Sequence, residues 1–341
     1  MSANQYVEES LIRHQIYLLR YSGTASREIK VVLDDMVKEV NSVLLSETIT
    51  EAQQARYTTM RVQIEQITRN LKTTEIVIDS ATDLATYETG FVERLYQGAV
   101  TAELTGVSVD RVIASVTSKP MSLLEGKDYR KRTIEQLVET FDQDVTAQVL
   151  KKIRVGINEG KSVETIARDI SKLSKSQLYR NAEALTRTVN LHVGNVARST
   201  FYEQNSDVIS RERFVATLDG RTTLTCANYD GMMFAMGQGP QPPLHYRCRS
   251  VRVGFIDDSF GIDSLSGQRP QHGSGEPGTT SARTTFNSFF GRQSEAWQKD
   301  YLGTTRFDMY KSGRLNITAF TDDLGRTLTI DELRMKEGLT L

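Results

Sequence analysis

The chain is poor in cysteine, proline and tryptophan, and each shortage removes a class of protein. Two cysteines in 341 residues, Cys226 and Cys248, are too few for a disulfide-rich secreted scaffold. A reducing cytoplasm is the expected place of synthesis. No apolar run approaches the roughly 20 residues that span a bilayer, and the opening MSANQYVEES lacks the charged-then-apolar order of a signal peptide. A secreted or membrane-embedded protein is therefore not expected. Charge of one sign is missing too. Lys+Arg total 42 against 43 Asp+Glu, a net charge of -1, so the whole-chain field favours neither nucleic acid nor membrane. The P-loop, GxGxxG and HExxH signatures are absent, as is the histidine–glutamate and paired-cysteine pattern of base deaminases.

What is present is length and helical patterning. A chain of 341 residues holds roughly two domains of about 150 residues and is long enough to bury a core. The six prolines divide it: none precedes Pro120, and the other five lie between Pro240 and Pro277. The proline-free first third reads as helix. Val32, Met36, Val40 and Val43 recur at helical spacing, as do Met60, Ile64, Ile67 and Leu71. Ser80 or Thr82 is placed to open a further helix. Residues 131–157 carry an apolar stripe through Ile134, Leu137, Val138, Phe141, Val145, Val149, Leu150 and Ile153, closed by Asn158-Glu159-Gly160. Ser162 with Thr165 opens the next helix, and another runs from about Gln177 to Glu203.

Near Glu212 the pattern changes. Arg213–Leu218 is β-like, Asp219-Gly220 and Asp230-Gly231 are turn signals, and residues 249–255 alternate polar with apolar. The expected class is α+β: predominantly helical, with a small antiparallel sheet and helical regions at both ends. Residues 256–282, rich in glycine and proline, read as a flexible linker or loop. Beyond them a helix ending at Gly303 and a last one capped by Thr329 with Glu332 are expected. The resulting division is 1–120, 121–255, 256–282 and 283–341.

Chemistry-bearing residues concentrate in 219–249. Cys248 follows His245 by three residues, and Cys226 lies across a turn that folds back on them. Three readings stand open. One is a structural zinc site, with Asp219, Asp230 or a water as fourth ligand. Another is a Cys226–Cys248 disulfide, and the third is a pair of small buried thiols beside a hydrogen-bonded histidine. Cys226, His245 and Asp230 can also be drawn as nucleophile, base and orienting group, but sequence places none of them within reach, and no enzyme is expected. His14, His192 and His272 read as isolated surface or cap residues. Lys127, Arg130, Lys131, Arg132, Lys151, Lys152 and Arg154 form a basic run. The surplus of 15 Lys+Arg over 12 Asp+Glu in 121–211 suits a solvated helix face better than a DNA stripe. A shared helical face would favour DNA.

The ordered set of motifs resembles the Mu F-like phage head morphogenesis proteins, also called minor head or minor capsid proteins. The resemblance is carried by the lead-in Ile153–Ser162 and by Arg187-Thr188 with Asn195 and Arg198. It continues through Asp219, Thr223-Leu224-Thr225-Cys226 and Asp230-Gly231, and ends in Pro242-Pro243-Leu244-His245-Tyr246-Arg247-Cys248-Arg249. Val189 and Ser250 stand where many members carry an acidic residue and a second cysteine. The match covers about residues 130–255, and the tail is similar around Phe289, Trp297 and Leu328–Leu333.

The resemblance implies a non-enzymatic virion component inside the head. It would bind the phage portal protein, aiding assembly, genome packaging or DNA ejection. The major capsid or scaffold protein and the packaged DNA are further partners, and no membrane is met before ejection. Residues 1–120 would then be a docking arm, and Asp219, Cys226, His245, Cys248 and Arg249 would fix the core. Asp230, Gly231 and Pro243 would shape it, and Arg187 would buttress it. A DNA-binding head protein, or a module with undetected enzymatic activity, is the rival.

Overall fold

The computed structural model describes residues 3–46, 53–126, 128–261, 267–313 and 315–338. In chain order the elements begin with α1 (Ala3–Tyr21), α2 (Gly23–Ser46), α3 (Gln53–Arg69), α4 (Thr73–Gln97) and α5 (Val109–Ser118). A hairpin of β1 (Met121–Glu125) and β2 (Asp128–Arg132) precedes α6 (Ile134–Asn158) and α7 (Val163–Leu173). One π-helical turn, Ser174–Leu178, leads into α8 (Tyr179–Gln204). Then come β3 (Ile209–Val215), β4 (Leu218–Asp219), α9 (Leu224–Tyr229), β5 (Met233–Ala235) and β6 (Val251–Ile256). The last part holds β7 (Gln268–His272), β8 (Gly278–Ser281), α10 (Phe286–Gly291), α11 (Glu295–Leu302), α12 (Thr304–Lys311) and α13 (Ile330–Glu337). Helix makes up 62 % of the described residues beside small sheets, so the class is α+β and predominantly helical, as the sequence pattern indicates.

The chain divides into two compact units that do not follow chain order. Residues 19–84 and 132–190 form a helical unit; residues 1–18, 85–131 and 191–341 form a mixed unit. In the helical unit α2 packs on α3 and α7, and α6 on α3 and α7. The spacing read from sequence fills this interior: Met36, Val40, Met60, Ile64, Leu137, Val138, Val145, Val149 and Ile153 are all buried. Thr133 forms a capping box with Gln136 at the start of α6, Gly160 (φ 65°) follows its end, and Ser162 caps α7. The start expected at Ser80 or Thr82 does not occur, because α4 already begins at Thr73 and carries both as interior residues.

In the mixed unit β3 is the centre of a three-stranded antiparallel sheet ordered β5-β3-β6. One core joins this sheet to helices through Val7, Leu11, Tyr96, Phe201, Tyr202, Phe214 and Val253. The fit at Gly254 is tight: a Cβ there would stand 2.7 Å from Ile209 Cγ2 and 2.9 Å from the Tyr202 ring. A second core gathers Phe286, Phe289, Phe290, Phe320 and Leu333 under Trp297 and Tyr301. Each fully buried phenylalanine contributes on the order of 2–3 kcal/mol.

Two expectations are corrected here. Residues 268–281 are not a linker: β7 pairs with β4 in parallel and with β8 antiparallel, and Arg269 on β7 is buried. Residues 262–266 of that stretch lie outside the described residues. The start of the chain is not a projecting arm either. Asn4 brackets Ile256 with two hydrogen bonds of 2.7 and 2.8 Å, and Glu8 pairs with Arg213 at 3.0 Å. Asn4 and Glu8 of α1 thus supply polar partners to β6 and β3.

Candidate metal centre

The short helix α9 exists because Thr223 caps it, its hydroxyl accepting from the Cys226 amide at 3.3 Å. That cap aims the Cys226 thiol at the loop preceding β6. The loop turns tightly: Pro242-Pro243 is a cis peptide, Arg247 has φ 59°, and the Cys248 amide donates to the His245 carbonyl at 3.1 Å. Leu244 is tied to the β1–β2 hairpin by its carbonyl, which accepts from the Leu124 amide at 2.7 Å. Residues 224–229 are therefore a short helix, and its first turn carries the cysteine.

Three side chains converge. Cys226 Sγ lies 3.7 Å from Cys248 Sγ and 3.3 Å from His245 Nε2, and the three ligand atoms all lie within 4.8 Å of one another. Both thiols are free and only 2 % exposed. His245 Nδ1 meets the Tyr246 carbonyl at 2.9 Å, which puts the proton on Nδ1 and leaves the Nε2 lone pair facing the sulfurs and the Thr223 hydroxyl, 3.0 Å away. The hydrogen bond to Cys248 and then burial push the Cys226 thiol well above its ordinary range. Burial acts the same way on Cys248, but the Cys226 hydrogen bond and the His245 charge outweigh it and hold that thiol well below. Burial disfavours the His245 cation, yet the Cys248 charge raises its pKa overall.

Asp219, expected as a fourth ligand, lies outside this cluster. Arg249 clasps both its oxygens, at 2.5 and 2.7 Å, and the Arg221 amide donates to it at 2.9 Å. Burial works against the Asp219 carboxylate, but Arg249 holds its pKa below the ordinary value. The pair latches β4 to the residue next to Cys248. Asp230 is likewise not a ligand. It accepts from the amides of Ala216 at 2.6 Å and Phe286 at 2.5 Å and pairs with Arg269 at 2.8 Å. Gly231 follows at φ 87°, where a side chain would also meet Thr285 at 2.8 Å. These two residues join β3 to β7 and α10. Pro243 is buried in the loop.

Other expected residues fall elsewhere. Arg187 belongs to the helical unit, pairs with Glu183 one turn earlier at 4.0 Å, and remains 38 % exposed, so it does not buttress the cluster. Thr188 is buried, its hydroxyl donating to the Ala184 carbonyl at 2.7 Å. Of the basic run, Lys127 lies outside the described residues. Arg130, Lys131 and Arg132 are on β2, not on a helix, whereas Lys151, Lys152 and Arg154 are exposed on α6. The run therefore has no single helical face. Arg130 faces Glu125 at 3.7 Å, and Arg132 donates to Thr140 at 2.9 Å.

Sequence reasoning missed the charges that hold this unit together. Arg198, Arg252 and Arg269 are fully buried. Arg252 pairs with Glu212 at 3.0 Å, donates to the Gln238 and Pro240 carbonyls, and stacks over Phe234 at 4.5 Å. Glu88 receives Arg198 at 3.2 Å and His14 at 2.5 Å. His14 is thus a buried partner rather than a surface residue. His192 is buried as well, and burial pulls its pKa down to about 4 against the Val116 carbonyl, so the ring is neutral at pH 7. His272 is exposed, as expected. A cavity of about 750 Å³, lined in part by His192, Ser199, Phe234, Pro242 and Leu324, opens beside the loop.

Compared with known proteins, residues 147–253 match the family described as Phage Mu protein F like protein. That window runs from α6 through β6 and contains all three members of the cluster. No curated protein and no solved structure matches. About a third of the chain, from α6 through β6, thus resembles the Mu F-like proteins of phage head morphogenesis. No helix among the described residues is long and apolar enough to cross a membrane.

Proposed function

We propose that the chain is a minor head protein that sits inside the capsid at the portal vertex, where it serves head assembly, genome packaging or DNA delivery without catalysing a reaction. The Mu F-like match over residues 147–253 carries this reading. Two features support the non-catalytic part. The thiols that would act as nucleophiles are 2 % exposed, which leaves no face for a substrate. The carboxylates nearest in sequence to them are committed to Arg249 and Arg269. A net charge of -1 suits a protein that must live beside concentrated DNA without being held by it along its whole surface.

Co-expression with the portal protein of the same phage tests the reading. The chain is expected to elute with the portal ring on size exclusion. A folded chain that elutes alone, with unchanged circular dichroism, overturns the portal assignment. Retention on DNA that weakens steeply with salt would instead favour the rival DNA contact.

A further inference from the structure

We infer that Cys226, His245 and Cys248 form a structural zinc site that pins the loop 236–250 to α9. Geometry carries this. Two thiolates at about 2.3 Å from a tetrahedral zinc stand about 3.8 Å apart, and a thiolate and an imidazole nitrogen about 3.5 Å apart. The sulfurs here are 3.7 Å apart, and Cys226 Sγ is 3.3 Å from His245 Nε2. Two of the three distances between ligand atoms are close to those an ion would impose, and the third is within 4.8 Å.

The surroundings are those of a ligand set. A zinc-bound histidine commonly gives its other ring N–H to a carbonyl, which fixes the tautomer and the ring plane. His245 does so through Nδ1 to Tyr246. Two thiolates and a neutral imidazole balance the ion's two charges, so the occupied site is neutral and tolerates burial where a bare thiolate would not. Binding requires both cysteines as thiolates and His245 as the neutral ring. The fourth position falls to a neutral oxygen. A water, or the Ser250 hydroxyl, which is buried and hydrogen-bonds the Cys226 thiol, completes the tetrahedron from the Cys226 side. Asp219 does not, being held by Arg249.

The site is independent of the portal reading, and its test reads the metal alone. The full chain, purified reduced after growth with zinc, is expected to carry one zinc per chain by native and elemental mass spectrometry. Chelation should lower its melting temperature, and cobalt should replace zinc with the absorption of a tetrahedral thiolate site. Cys248→Ser is expected to weaken zinc, measured against a chromophoric chelator, by more than about 100-fold, beyond the roughly 10–100-fold lost when a ligand's hydrogen-bond partner is removed. Should that variant fail to fold, Ser250→Cys keeps the question open to test, because a third thiolate at that side is expected to tighten binding at least about tenfold. A folded, reduced chain that takes up no zinc overturns the site. So does a chain two hydrogens lighter whose thiols resist alkylation until reduced, which would be the disulfide. An unchanged affinity in Ser250→Cys overturns the placement of the fourth ligand.

Discussion

The helical unit and the mixed unit solve the problem of an interior by different means. In the helical unit, apolar side chains at three- and four-residue steps meet across α2, α3, α6 and α7, and ion pairs such as Lys30–Glu183 stay partly exposed. Backbone polar groups there are satisfied within each helix. The mixed unit has long irregular stretches, and their carbonyls and amides need partners from elsewhere. Buried arginines and carboxylates supply them: Arg252 takes two loop carbonyls, Arg269 takes those of Ala216 and Thr284, and Asp230 takes two amides. Each charge is matched by an opposite one, because an unmatched buried charge is costly. Short loops thus acquire one conformation, and that conformation brings Cys226, His245 and Cys248 together.

The largest effect that would break this contrast is in the mixed unit. Arg269→Met keeps volume but strands Asp230, and it is expected to cost about 3–5 kcal/mol in urea unfolding. A loss under about 1 kcal/mol would show that the amides of Ala216 and Phe286 suffice for the carboxylate, and that the arginine is not what holds the loops. A smaller effect sharpens the other side. Gly156→Ala on α6 would normally gain about 1 kcal/mol of helix propensity. Here the new Cβ would stand 2.5 Å from Ile166 Cγ1 on α7, so overpacking of about 1–3 kcal/mol should win. The double variant with Ile166→Ala should recover part of that loss, which a purely local backbone effect would not allow.

The smallest effect has the opposite sign. Asp142 sits half-buried in the helical unit. Burial raises its pKa from 3.8 to about 6, opposed only by a Thr73 hydroxyl. Its folded pKa is above the unfolded one, so its contribution is fully present below pH 4 and is lost as pH rises through about 6. Asp142→Asn is therefore expected to stabilise the protein at pH 7 by about 1 kcal/mol and to change little at pH 4. Equal effects at both pH values would mean that the carboxyl is not protonated in the folded chain near pH 5.

What could be read from the sequence follows from these two modes of packing. Helical periodicity is local, so Val40, Ile64 and Val145 announced their burial, and Ser162 and Thr329 announced their caps. Two strands of the sheet were visible, as the β-like run 213–218 and the alternation along 249–255, which overlap β3 and β6. The β7–β8 hairpin was not, because its glycines and prolines resemble those of a linker, and its place depends on one buried arginine. Arg187 and Arg198 look alike in a helix, yet only Arg198 meets a buried carboxylate, Glu88, which is 110 residues away.

The amino-acid sequence by itself determined the helices, their caps, the α+β class and the Mu F-like motif with its two cysteines and histidine, since each rests on residues near one another in the chain. Only the tertiary structure decided which charges are buried together, that Asp219 serves Arg249 rather than the cysteines, and that the units interleave along the chain. Those outcomes depend on pairings between distant residues, and the energy of such a pair exists only once folding has removed the water between its members.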